Sequence, residues 1–300
     1  MFIGCGTALV TPFRRDQSLD EGALRRLVRR QIEAKVDFVV PCGTTGENPT
    51  LTRAEHLRVV EITLEEAKGK IPVLAGAGGY NTVEVIELAK ELKAMGTDGI
   101  LSVTPYYNKP TQEGLYQHFR AIAVAIAHPI IVYNVPGRTG VNLEPATLKR
   151  LAAIENIVGV KEASGNISQI ASIESQVPDQ FVVLSGDDAV TLPLIALGGR
   201  GVISVVSNEI PAEMRKLVEH CLSDDFAAAR QVERKYLPLM EINFVESNPI
   251  PVKAAMALMG LLEPVWRLPL VPPKPENLEK IRGVLESLGL IEKTHAAGRD

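Results

Sequence analysis

Only three cysteines occur in the 300 residues, Cys5, Cys42 and Cys221. They are scattered, odd in number and without CxxC spacing, which excludes a disulfide framework and points to a reducing cytoplasm. Positive charge is not in excess either. The net charge of −4 gives no reason to expect a nucleic-acid or anionic-membrane partner. No run of about 18 apolar residues appears, so no membrane span is expected. The N-terminus, MFIGCGTALVTPF, has no basic segment and is broken by Gly4, Gly6 and Pro12, so it does not read as a signal peptide. The histidines, His56, His118, His128, His220 and His295, are dispersed, and no GxSxG elbow or Ser-His-Asp order is present. Asp187 and Asp188 are adjacent, but no second acidic cluster with ligand spacing accompanies them, so a catalytic metal is not expected.

What the chain does contain is a 46% apolar fraction, ample for a large core. Short β-branched runs recur: GTALVTPF, FVVPCG, PVLAGAG, GILSVTP, PIIVYNVP, IVGVKEAS, FVVLSGDD and GVISVVSN. Their near-continuous apolar character suits strands buried on both faces. Amphipathic stretches separate them. Ser18-x-x-Glu21 and Thr52-x-x-Glu55 read as capping boxes, and Asn81 as a further helix start. Eight such units in about 220 residues fit a TIM (β/α)8 barrel, with a doubly wound open sheet as the alternative. After Pro211 only helical patterns follow. The expected organisation is a barrel over 1–224 and a C-terminal helical extension over 225–300, with the terminal HAAGRD frayed.

Barrel enzymes place their chemistry at the C-terminal strand ends. After the second strand, GTTGE offers paired hydroxyls and exposed N–H groups that suit a carboxylate, or an ordinary Gly-Thr turn. GAGGYN lacks the third glycine of a dinucleotide loop and is weak as such. The fourth strand ends in the adjacent Tyr106 and Tyr107, which suit packing on a neighbouring subunit, proton transfer, or both. The fifth ends in YNVPGRTG. There Tyr133 suits a general acid or base, or a core phenol. Arg138 suits a carboxylate grip, or plain surface charge. The sixth strand, IVGVKEASG, places Lys161 directly after an apolar run. A lysine there either snorkels to water or is a desolvated, partly neutral amine able to attack a carbonyl. With a tyrosine on the adjacent strand, such an amine could form and process a Schiff base of a 2-oxo acid.

Taken in order, GTTGE, YNVPGRTG and GVKEASG resemble the dihydrodipicolinate synthase family, pyruvate-dependent class I aldolases related to N-acetylneuraminate lyase. The resemblance runs over nearly the whole chain. It implies that Lys161 forms a Schiff base with pyruvate and that Tyr133 donates and accepts protons, with Thr44 and Tyr107 as relay partners. It implies that Thr45 holds the pyruvate carboxylate, that Gly186 and Ile203 line the pyruvate pocket, and that Arg138 receives the carboxylate of L-aspartate 4-semialdehyde. No metal or organic cofactor is implied, since the lysine supplies the electron sink. In this family Tyr107 reaches into a neighbouring subunit, which implies a homo-oligomer that is at least a dimer and, as usual in the family, a tetramer built as a dimer of dimers. Sugar-acid lyases and dehydratases of the wider family are the alternative activity, and generally lack the arginine. In lysine-sensitive members an allosteric pocket is matched here by His56, Glu84 and Tyr106, whereas Tyr80, Asn48, Pro49 and Arg53 depart from one common pattern. Weak or absent lysine inhibition is therefore expected.

Overall fold

The computed structural model describes residues 2–293. The expected fraying of HAAGRD lies outside them. Strands and helices alternate: β1 (Gly4–Ala8), α1 (Glu21–Glu33), β2 (Phe38–Val40), α2 (Arg53–Ala67), β3 (Leu74–Gly76), α3 (Thr82–Ala94), β4 (Gly99–Val103) and α4 (Gln112–Ile126). Then come β5 (Ile130–Asn134), α5 (Pro136–Thr139), α6 (Pro145–Leu151), β6 (Ile157–Glu162), α7 (Ile167–Glu174), β7 (Val182–Ser185), α8 (Thr191–Ala196) and β8 (Gly201–Ser204). Helices alone follow: α9 (Pro211–Leu222), α10 (Phe226–Ile242), α11 (Ile250–Leu258) and α12 (Pro275–Ser287).

The eight strands are parallel in the order β2-β1-β8-β7-β6-β5-β4-β3. A single bridge, Val39 to Val73, joins the two ends and closes the barrel. The fold is thus the TIM barrel, not the open sheet.

Two strand faces make two cores, as period-two alternation requires. Val39, Val132, Val160, Val183 and Val202 face the helices in one cluster. Phe38, Val40, Leu74, Leu101, Ile131, Tyr133, Leu184 and Ile203 fill the barrel interior in another. The same alternation explains Lys161. Val160 packs outward, so its neighbour points in. Lys161 sits in register with Tyr133 on β5 and Leu184 on β7, both interior residues.

The helix starts follow local chemistry. Thr52 and Glu55 form the reciprocal capping box at α2, and Asn81 caps α3 through the Val83 N–H. The expectation at Ser18 is corrected. Asp20 caps α1 by accepting from Ala23 N at 2.9 Å, while Ser18 Oγ turns back to Asp16 at 2.6 Å. Asp20 stands immediately before the helix and an aspartate there is as strong a cap as serine, so it wins by position.

The segment between α10 and α11 lies across the C-terminal barrel mouth. Asn248 donates to Thr45 Oγ1 at 2.9 Å, and Asn243 donates to Glu209 Oε2 at 2.6 Å. Helix α11 is pinned by Lys253, which is fully buried and ion-paired with the equally buried Glu47. Lys253 Nζ and Arg267 Cζ both lie against the Phe13 ring, 4.5 and 4.2 Å from its centroid. Among the described residues no helix is long and apolar enough to cross a membrane.

Candidate active site

At the mouth, β5 and β6 deliver Tyr133 and Lys161 side by side. The Lys161 amine lies 4.3 Å from the Tyr133 ring centroid, and both side chains are buried. Burial strips water from the ammonium and lowers the Lys161 pKa to about 7. The Asp188 carboxylate works against that fall, and the Arg138 cation reinforces it. Burial also raises the Tyr133 phenol above its usual range, with Arg138 and a hydrogen bond to Thr44 opposing. A partly neutral amine beside a protonated phenol is the pairing that carbonyl addition requires.

One cavity of about 100 Å³ gathers Thr44, Thr45, Tyr133, Arg138, Lys161 and Gly186, together with Val135, Ala163, Asp187, Val205, Phe244 and Asn248. Each wall has a local cause. Thr44 and Thr45 ride on a turn closed by Gly46 N to Gly43 O and Glu47 N to Thr44 O, both 3.1 Å. Glu47 leaves that turn in the left-handed region at φ 53°, held there by Lys253. Arg138 lies on the single-turn α5 and is steadied by donating to the Asn248 carbonyl at 3.1 Å. Gly186 is small of necessity, since a Cβ there would lie 3.0 Å from Lys161 Cε and 2.6 Å from Ala163 Cβ.

Two expected residues stand outside this cavity. Ile203 is fully buried in the barrel interior with Leu184 and Tyr133. Tyr107 is 89% exposed at φ 65° and does not line the pocket of its own chain. Reasoning from strand ends also passed over Asn248 and Phe244, which reach the site from the C-terminal helices. Asn248 meets Thr45 across 203 positions of sequence, a contact no local pattern announces. The NPIP run signals a break in helix, nothing more.

A second cavity of about 210 Å³ shares Thr44, Tyr133 and Arg138 and continues past Asn48, Pro49, Gly78 and Tyr106. His56 Nδ1 meets Asn48 Oδ1 at 2.8 Å, and Tyr80 stacks edge-on against Tyr106 at 5.2 Å. A third cavity, about 660 Å³, is at the opposite barrel end around Phe2, Pro129, Ile157 and Phe181. Barrel enzymes place their chemistry at the other end.

The chain matches the Dihydrodipicolinate synthetase family over residues 1–288. It is 53% identical over 295 residues to the 4-hydroxy-tetrahydrodipicolinate synthase of Koribacter versatilis, covering 98% of each chain. Among solved structures it is similar to dihydrodipicolinate synthase from Aquifex aeolicus, with a TM-score of 0.95 and 44% identity over 97% of this chain and 100% of that one. It is equally similar to the chloride-inhibited dihydrodipicolinate synthase from Acinetobacter baumannii complexed with pyruvate: TM-score 0.96, 43% identity, 97% of this chain and 100% of that one.

Proposed function

We infer the function from a premise that these likenesses supply: the chain belongs to the dihydrodipicolinate synthetase family. Its reaction is that of a Schiff-base-forming lyase, 4-hydroxy-tetrahydrodipicolinate synthase, in diaminopimelate and lysine biosynthesis. The substrates are pyruvate and L-aspartate 4-semialdehyde.

In this reading the neutral Lys161 amine adds to the pyruvate ketone. Water leaves with the ketone oxygen, and a protonated imine remains. Loss of a methyl proton gives the enamine, whose carbon attacks the aldehyde. Tyr133, relayed through Thr44, supplies the proton that the new alkoxide takes up. The substrate amine then adds to the imine carbon. The bond to Lys161 breaks, which frees the lysine as an amine and closes the ring. Thr45 and the N–H groups of its turn hold the pyruvate carboxylate, while Gly186 lines the pocket and Ile203 backs it from the barrel interior. Arg138 takes the carboxylate of the aldehyde. The observation that carries the reading is a buried lysine with a pKa of about 7, set beside a buried tyrosine in one small cavity.

Tyr107 completes the relay in a neighbouring copy. Its 89% exposure, together with the exposed Tyr80 that packs on its neighbour Tyr106, supports an assembly in which that face is covered. The assembly is a homotetramer, a dimer of dimers, in the cytoplasm. The deciding experiment feeds purified protein pyruvate with L-aspartate 4-semialdehyde and, separately, N-acetylneuraminate or 2-keto-3-deoxygluconate. Cyclised product from the first alone is expected. Cleavage of a sugar acid without condensation would move the reading to the lyases.

A further inference from the structure

Asn248 touches both groups that the proposed function sets against carboxylates. Its backbone carbonyl accepts from Arg138 Nη2 at 3.1 Å, and its side-chain Nδ2 donates to Thr45 Oγ1 at 2.9 Å. All three residues line the cavity above Lys161. Asn248 and Thr45 are 5% and 2% exposed, so bulk water competes little for the bond between them. A threonine hydroxyl has one hydrogen to give and two lone pairs to receive with. The Asn248 N–H fills one lone pair, so the hydroxyl hydrogen points elsewhere. The Asn248 amide oxygen, buried and unpartnered among the described residues, makes no claim on it. The carbonyls of the threonine's own turn already serve that turn: Gly43 O accepts from Gly46 N and Thr44 O from Glu47 N, both at 3.1 Å. Among the described residues the Thr45 hydrogen has no acceptor. A donor left open in a desolvated place is costly, unless a ligand completes it.

We propose that Asn248 is a positioning residue for pyruvate: by donating to Thr45 Oγ1 it turns the Thr45 hydroxyl hydrogen toward the substrate carboxylate. The inference rests on the function proposed above and extends it to a residue that acts through another. A carboxylate only accepts, so the hydroxyl serves it as a donor or not at all. Without the amide the hydroxyl rotates freely, and its hydrogen is shared among whatever acceptors it meets. The contact spans 203 positions, so the C-terminal helices set the polarity of a group on the loop after β2. Arg138 is held by the backbone carbonyl of Asn248, which every substitution at that position retains. The aldehyde side of the pocket is therefore an internal control.

The test measures pyruvate affinity from the concentration dependence of the borohydride-trapped adduct, and steady-state KM for both substrates, on the full-length enzyme. Asn248→Ala should weaken pyruvate binding about tenfold, the worth of one oriented hydrogen bond to a charged acceptor, and leave kcat and the KM for L-aspartate 4-semialdehyde within about twofold of wild type. Asn248→Leu keeps the side-chain volume and lacks the N–H, so it should match the alanine variant. Wild-type affinity in the leucine variant would reduce Asn248 to packing and overturn the proposal. Thr45→Val keeps the shape of threonine without its hydroxyl, and in that background Asn248→Ala should add no further loss. Additive losses would overturn the proposal. So would unchanged or tighter pyruvate binding in Asn248→Ala, the result expected of a reversed amide whose oxygen takes the Thr45 hydrogen. A wild type that forms no pyruvate adduct brings down the functional reading itself, a result distinct from these.

Discussion

Lys253→Met should destabilise the protein severely and reach the active site from a distance. Lys253 and Glu47 are both fully shielded from water and paired with one another. Glu47 also accepts the Arg267 backbone N–H at 3.3 Å, too long to replace the ammonium. Removing one partner of a buried pair leaves the other charge uncompensated, at a cost of about 3–5 kcal/mol. For a chain of this size each kcal/mol lowers the melting temperature by about 2–4 °C, so a fall of about 6–20 °C is expected. Glu47 ends the turn that carries Thr44 and Thr45, so the KM for pyruvate should rise as well. Calorimetric melting and steady-state kinetics give both readouts. Adding Glu47→Gln to Lys253→Met removes the orphaned charge and should recover part of the stability, a coupling a double-mutant cycle measures. A Lys253→Met protein that melts within about 2 °C of wild type would refute the reasoning, since that is less than 1 kcal/mol.

Three more outcomes are expected. The rate of pyruvate adduct formation should rise through pH 7 and level off above it, because the Lys161 amine sheds its proton near 7 rather than at its ordinary 10.5. At neutral pH that shift raises the neutral fraction roughly a thousandfold or more; a stopped-flow profile still climbing at high alkaline pH would contradict it. The same lowered pKa makes the folded state bind fewer protons than the unfolded chain between those two values, so the cost of burying this group is relieved as pH rises across that window. Gly186→Ala presses a methyl against the Lys161 stem and should slow adduct formation by about tenfold or more, the effect of about 1–3 kcal/mol of overpacking on the reacting group; an unchanged rate in single-turnover trapping would show that the stem has room. L-Lysine should inhibit weakly or not at all, with Tyr80 stacked on Tyr106 and Asn48 engaged by His56; strong inhibition at sub-millimolar lysine in the coupled assay would reverse that expectation.

Much of the fold was legible because it rests on local rules. The apolar runs became the strands, and Thr52 with Glu55 became a true capping box. The Val160–Lys161 alternation aimed an amine into the barrel. What escaped notice depends on distance in the chain or on a contest between neighbours. Closure of the barrel turns on one bridge between Val39 and Val73, in strands of only three residues. At α1, Asp20 displaced Ser18 because it is the nearer cap. Asn248 and Lys253 reach Thr45 and Glu47 across 203 and 206 residues, which periodicity cannot register. Asp187 looked like half of a metal-binding pair, and only the folded cavity gathers it with Arg138 and Lys161.

Borohydride trapping in the presence of pyruvate, followed by intact-mass measurement and peptide mapping, tests the central claim most directly. The account predicts a single reduced pyruvyl adduct on Lys161, abolished by Lys161→Ala. Folded protein that yields no adduct at saturating pyruvate, or an adduct mapped to another lysine, would contradict it.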